Sequence, residues 1–347
     1  MRILKVNTYA PDGPLYDEFG PEVVFDIHRQ NAAGKPPSLE SCRLADAVIS
    51  CAASIPIGAD PDQFERCRIV VREGVGYDNL DLAGWGRRGV PVCNVPDYGT
   101  TEVADHAIAL MLGLTRGLAL YPDVLRADPM QGWRYDVAPL VRRHRGLTFG
   151  IVGLGRIGLA TARRAAGFDM RVLFYDPYLP NGVELATGYE RTRDLDKLIA
   201  ASDILSIHAP LTDETRGLIG DRTLGAAKAS LIVINTARGP IIDIDALYRA
   251  LRESRIAGAA LDVLPVEPAD AAHPLIAAWR KREAWLAGRL LLTPHAAFYS
   301  PSALEDMQRK AIEVVVAYIR HGELMNCVNR TYLNEQRPPR LLHGKQA

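Results

Sequence analysis

Three apolar runs are each followed, within a few residues, by side chains suited to carbonyl reduction. Arg238 comes after Leu231-Ile-Val-Ile-Asn235, Asp262 and then Glu267-Pro268 after Gly258-Ala-Ala-Leu261, and His295 after Leu290-Leu-Leu-Thr-Pro294. Arginine offers a planar fork that grips a carboxylate through two hydrogen bonds and polarises the adjacent carbonyl. Histidine, with an ordinary pKa of about 6.5, can hand a proton to a forming alkoxide near neutrality. A carboxylate beside it stabilises the imidazolium and fixes the ring. The set predicts interconversion of a 2-oxo acid and a 2-hydroxy acid with no metal, because the proton donor and the arginine cover the developing charge. Singly these signals are weak: Arg-Gly is more often a surface turn, Glu-Pro a helix start, and a histidine after Thr-Pro a hydrogen-bonded loop residue. Their joint delivery to three strand ends is what reverses that reading. His208, after Ile204–Ile207, competes as the acid but is assigned to the cofactor side, and His106 is read as structural.

A cofactor signature precedes these residues. Gly153-Leu-Gly155-Arg-Ile-Gly158 follows the strand-like run Thr148–Val152 and opens a helical pattern. Its glycines supply a tight turn, close backbone approach to a pyrophosphate and close helix–strand packing, and the helix N-terminus meets the phosphate charge. The next run, Arg171–Tyr175, ends in Asp176, where a ribose-binding acid falls. A carboxylate there accepts from the ribose 2′-hydroxyl and repels a 2′-phosphate, and Pro177 and Tyr178 supply no arginine to receive one. NAD is therefore expected in preference to NADP. A second glycine turn, Gly74-Val-Gly76, has amides that could hold a substrate carboxylate, or is only a turn demanded by backbone geometry.

These residues need an α/β frame to hold them. From residue 147 short strand-like runs alternate with helical ones, the pattern of βαβ units around a parallel sheet. Further strands are expected at Ile204–Ile207, Leu231–Asn235, Gly258–Leu261 and Leu290–Thr293, and helices at Gly155–Phe168, Leu195–Ala201 and Ile244–Glu253. The first hundred residues alternate less clearly, with strands at Ala47–Ser50, Ile69–Val71 and Val90–Val95. At 347 residues two domains are expected. A helix from Glu102 to about Arg116 bridges them, and another from Ser302 to about Arg320 returns the chain to the first. The fold class expected is α/β: a doubly wound, Rossmann-type parallel sheet for NAD over 103–297, and a smaller flavodoxin-like α/β substrate domain from 1–102 plus 298–330. The tail, 331–347, is expected to be an arm.

Lys plus Arg and Asp plus Glu both number 41, which argues against a nucleic-acid or anionic-membrane partner. The longest apolar stretch, Ala107 to Tyr121, is broken by Arg116 and too short to span a bilayer. Lys5 inside the first strand-like run makes it a poor signal peptide, so a cytoplasmic location is expected. Five scattered cysteines show no metal-ligand spacing and fit reduced thiols, with Cys93 read as a small buried hydrophobe.

Taken together the motifs resemble the D-isomer-specific 2-hydroxyacid dehydrogenases, and within them the C-terminal-binding-protein-like branch. The resemblance runs from about residue 40 to 330. It is carried by Gly74-Val-Gly-Tyr-Asp-Asn-Leu-Asp81, Asn94-Val-Pro-Asp-Tyr98 with Glu102-Val-Ala-Asp-His106, Gly153–Gly158, Phe174-Tyr-Asp-Pro-Tyr178, Asn235-Thr-Ala-Arg-Gly239, Asp262 with Glu267-Pro268, and Thr293-Pro-His-Ala-Ala297. It implies that Arg238 binds substrate carboxylate and carbonyl, that His295 is the acid/base and that Glu267 is its partner. It places Thr236, Ala237 and Asp262 on the nicotinamide side with His208 nearby, Arg156 and Ile157 at the pyrophosphate, and Val75 and Gly76 at the substrate. A homodimer and D-stereochemistry are implied too, as is an alternative role as an NAD(H)-sensing, corepressor-like interaction protein. Two features depart from the branch. Phe298 stands where a tryptophan is typical, and Ala271–Gly288, with Trp279 and Trp285, is longer than usual and is expected to be a lid, a dimer element or a surface hairpin.

Overall fold

The computed structural model describes residues 1–6, 14–28, 37–51 and 61–333, so most of the expected C-terminal arm lies outside the described residues. Contacts divide the chain into two units, Met1–Gly99 with Ser300–Ala347, and Thr100–Tyr299.

In the first unit, β1 (Arg2–Val6), β2 (Val24–His28), β3 (Ala47–Ser50), β4 (Ile69–Arg72) and β5 (Val92–Asn94) form one parallel sheet in the order β2-β1-β3-β4-β5. Its inner strands are apolar on both faces, as burial from two sides requires. Cys42, Phe64 and Trp85 cover one face. The helix Pro301–Val316 covers the other, setting Ala311, Ile312 and Val315 against Ile49 and Val71. Ser300 caps that helix by accepting from the Ala303 amide at 2.9 Å. Its regular part stops at Val316, short of the expected Arg320, and gives way to a π-type turn over Ala317–His321.

The second unit holds β6 (Thr148–Val152), β7 (Arg171–Tyr175), β8 (Glu190–Thr192), β9 (Ile204–Ile207), β10 (Ile232–Asn235), β11 (Gly258–Leu261) and β12 (Leu290–Leu292). All pair in parallel, in the order β12-β11-β10-β9-β6-β7-β8. Strand order reverses between β6 and β9, and ligands of doubly wound sheets bind at such a switch point beyond the carboxyl ends. The loop beginning at Gly153 leaves β6 at that point. One face of the sheet is covered by the helices Thr100–Thr115 and Arg156–Ala166, with Ile108 and Met111 packed among Ala162, Ala165 and Ile234.

The segment Ala271–Gly288 is not a surface hairpin. It forms the helix Pro274–Arg280 and a 3-10 turn at Ala284–Leu286. Leu275 and Leu286 enter the core, and Trp285 meets Tyr248 edge-on at 6.2 Å beneath the Arg252 guanidinium. Burying each such leucine is worth about 1.5–3 kcal/mol. The segment is therefore a packed flank of this unit rather than a lid. Among the described residues no helix is long and apolar enough to cross a membrane.

Candidate active site

In-register pairing of β10, β11 and β12 sets Asn235 beside Leu261 and Leu261 beside Leu292, so the chain leaves all three strands at one rim. Asn235, fully buried, folds the first exit. Its Nδ2 donates to the Arg238 carbonyl at 2.9 Å and its Oδ1 accepts from the Ala237 amide at 3.0 Å. That turn brings the half-buried Arg238 to the rim, where its Nη1 also donates to the Ala237 carbonyl.

Asp262 organises the exit from β12. Its Oδ1 accepts from Thr293 Oγ1 at 2.6 Å and from the Ala296 amide at 2.9 Å, and its Oδ2 accepts from the Ala297 amide at 3.0 Å. The His295 amide donates to the Asp262 carbonyl at 2.7 Å. These bonds hold His295 in the left-handed region, at φ 54°. A non-glycine residue there costs energy and persists only where its surroundings over-determine it. The Asp262 side chain is sealed from solvent, so it serves the site by fixing the histidine loop. His106, read from sequence as structural, joins this network: its Nε2 lies 3.0 Å from Thr293 Oγ1 and 3.5 Å from Asp262 Oδ1. Only chain-distant pairing reveals it, and the helical stretch around His106 held no local signal for it.

His295 Nδ1 lies 2.7 Å from Glu267 Oε2, and Glu267 Oε1 accepts from the Leu264 amide at 2.9 Å. Nε2 is left as the ring nitrogen not engaged by the carboxylate. The two side chains remain 41% and 38% exposed, open enough to meet a ligand. Burial pushes the Glu267 carboxyl up, but the hydrogen bond to His295 and the charges of His295 and Arg238 together outweigh it and hold the group below the usual carboxylate range. Glu267 is thus an ionised partner near neutrality. Phe298 stands edge-on to the His295 ring at 6.3 Å.

At the switch point the residues fit a dinucleotide. Gly153 has φ 87°, and a side chain there would meet the Ala209 backbone at 2.9 Å. A Cβ on Gly158 would lie 2.1 Å from the Gly153 carbonyl oxygen, so only glycine lets helix and loop close together. Space above Gly155 is open for 4 Å, and the helix Arg156–Ala166 has no side-chain cap, which leaves the first-turn amides of Arg156 and Ile157 available to an anion. Asp176, at the end of β7, braces the glycine loop by accepting from the Leu154 amide at 3.0 Å. Thr236 Oγ1 is buried at the rim with no hydrogen-bond partner, as a group awaiting a ligand would be. His208 Nε2 lies 2.9 Å from Ser206 Oγ, and burial pushes its imidazole down to about 3. It is neutral near pH 7 and unsuited to be the proton donor, consistent with a cofactor-side place.

Val75 and Gly76 belong to the first unit, in the turn after β4. Asn94 Nδ2 donates to the Val75 carbonyl at 2.7 Å and the Val95 amide to the Gly74 carbonyl at 3.1 Å, so this turn's carbonyls are held and its shape is fixed.

Comparison with known proteins bears on both units. The profile of the family described as "D-isomer specific 2-hydroxyacid dehydrogenase, NAD binding domain" matches residues 108–297. A glyoxylate reductase from Korarchaeum cryptofilum is 38% identical over 317 residues, 88% of this chain and 90% of that one. A glyoxylate reductase from Thermofilum pendens is 35% identical, covering 83% and 84%. Among solved structures, an NADPH-dependent glyoxylate/hydroxypyruvate reductase from Sinorhizobium meliloti, in complex with NADP and malonate, superposes with a TM-score of 0.78 at 31% identity, covering 94% of this chain and 96% of that one.

Proposed function

This chain belongs to the D-isomer specific 2-hydroxyacid dehydrogenase family and is an oxidoreductase with a nicotinamide cofactor, and we propose that it reduces a short 2-oxo acid, such as glyoxylate or hydroxypyruvate, with NADH. The observation that carries the proposal is the 2.7 Å His295–Glu267 contact at the same rim as Arg238. Arg238 binds the substrate carboxylate and polarises the neighbouring carbonyl. His295 Nε2 donates the proton that the carbonyl oxygen receives, and Glu267 stabilises the imidazolium that holds it. The bound nicotinamide supplies the hydride. Asp262 keeps the histidine loop in its left-handed turn, and the amides of Arg156 and Ile157 take the pyrophosphate. Where the product is chiral, it is the D enantiomer. The small substrate accords with the names of the relatives at 38% and 35% identity.

Preference for NADH over NADPH rests on Asp176 rather than on the family, since the Sinorhizobium meliloti relative is named as NADPH-dependent. Replacing Asp176 by alanine removes the carboxylate that repels a 2′-phosphate. The ratio of kcat/KM for NADH over NADPH then falls by about tenfold or more, ~1.4 kcal/mol. An unchanged ratio would show that Asp176 does not select the cofactor.

Glu267→Gln separates positioning from charge. Glutamine keeps the shape but no longer stabilises the imidazolium. The kcat for reduction therefore drops by about tenfold or more. A wild-type kcat in the variant would remove Glu267 from the proton path. The proposal as a whole is tested by steady-state screening of 2-oxo acids with NADH and NADPH side by side: glyoxylate or hydroxypyruvate should turn over with NADH, and failure of every 2-oxo acid would overturn it.

A further inference from the structure

The edge of the first unit's sheet holds a pair of thiols that the reaction does not use. After Met325 the chain runs antiparallel to β5 and covers it: the Asn94 amide donates to the Asn326 carbonyl at 3.2 Å and the Val328 amide to the Val92 carbonyl at 2.8 Å. Those two bonds flank Cys93 and Cys327 and make them directly opposite residues of a non-hydrogen-bonded pair. In such a pair the Cα atoms stand about 4.5 Å apart with side chains on one face, inside the roughly 4.4–6.8 Å that a disulfide spans. Asn329 fixes the register. It is fully buried, its Oδ1 accepts from the Val92 amide at 2.8 Å, and its Nδ2 donates to the carbonyls of Val90 and Leu82.

We propose that Cys93 and Cys327 are a redox-modification site, closing to a disulfide on exposure to a low-molecular-weight disulfide such as glutathione disulfide and reopening with thiol. Both are free thiols here. Cys93 is sealed in the core while Cys327 is partly exposed, so an outside disulfide meets Cys327 first. The hydrogen bond from Cys93 also holds the Cys327 thiol below its ordinary pKa, which favours the attacking thiolate. The Cys327 thiolate attacks one sulfur of glutathione disulfide, breaks its S–S bond and releases one glutathione thiolate. Cys93 sulfur then attacks the Cys327 sulfur of the mixed disulfide and loses its proton to the departing second glutathione. Two protein thiols are oxidised by two electrons and one glutathione disulfide is reduced to two thiols. The closed bond staples the strand that covers β5, an otherwise bare sheet edge, to the rest of the unit.

The test treats the reduced, full-length protein with glutathione disulfide, then counts thiols in denaturant and maps peptides without reduction. Thiols should fall from five to three, with a Cys93–Cys327 linked peptide and no retained glutathione. The Tm should rise by several degrees and return on reduction. Cys93→Ala should stop at a glutathione adduct on Cys327. Cys327→Ser, at a partly exposed position that tolerates the change, should keep all four remaining thiols under the same treatment. A wild-type protein that holds glutathione on Cys327 without resolving it, stays unmodified, or links other cysteines would overturn the proposal.

Discussion

Replacing His295 by alanine lowers kcat for 2-oxo acid reduction by about 10²–10⁴-fold, with NADH affinity unchanged. The size follows from what the residue alone supplies. Of the neighbouring titratable groups, Asp262 is sealed and engaged with three donors, His106 is turned to Thr293 and Asp262, and burial keeps His208 neutral. The loop backbone would survive the substitution, since Asp262 holds it through the amides of Ala296 and Ala297 rather than through the imidazole. Alanine is less at ease at φ 54° than histidine, so the Asp262 bonds have to carry the loop in the variant. Single-turnover kinetics and NADH titration by fluorescence check both halves. An activity loss accompanied by an equal loss of NADH binding would mean that the loop had collapsed.

Arg238→Ala lowers kcat/KM by about 10²–10³-fold, ~3–4 kcal/mol. The loss falls on both constants, because the same guanidinium binds the carboxylate and polarises the carbonyl. Asn235 builds the turn from its own amide, so the rim keeps its form without the Arg238 side chain. Arg238→Lys restores the charge but not the two-pronged geometry and should recover only part of the loss. Inhibition by a dicarboxylate such as malonate supplies a readout free of chemistry and should weaken in parallel. Malonate inhibition that survives Arg238→Ala would place the carboxylate elsewhere.

Much of this site was legible in the chain because parallel sheets put their chemistry at strand ends. Arg238, Glu267 and His295 each follow an apolar run, and the glycine loop with Asp176 has a fixed spacing that backbone geometry explains. Features made by pairing across the chain were not legible. β2 is an edge strand with Val24 half exposed and an aspartate and a histidine inside it, so its apolar pattern is broken. β8 is three polar residues at one edge of the seven-stranded sheet. His106 lies in a helical run and acquires its role only from Thr293 and Asp262. Lys5, a reason to discount a signal peptide, is fully buried against Glu73 at 2.9 Å, which no local pattern indicates. Cys93 and Cys327 looked scattered because β5 and the strand covering it are far apart in sequence. The long segment after Glu267 drew attention through its tryptophans; the Trp285 indole is flank packing for the helix Ile244–Arg252, while Trp279 stays exposed.

The proposed reaction is the reduction of a small 2-oxo acid by NADH with His295 as the proton donor. The most direct measurement is NADH oxidation by glyoxylate and hydroxypyruvate, run on the wild-type protein and on His295→Ala at matched NADH saturation. The predicted result is turnover by the wild type and a loss of at least about 10²-fold in the variant, both proteins binding NADH equally. Tight NADH binding with no turnover of any 2-oxo acid by the wild type would contradict the account and point instead to a dinucleotide sensor.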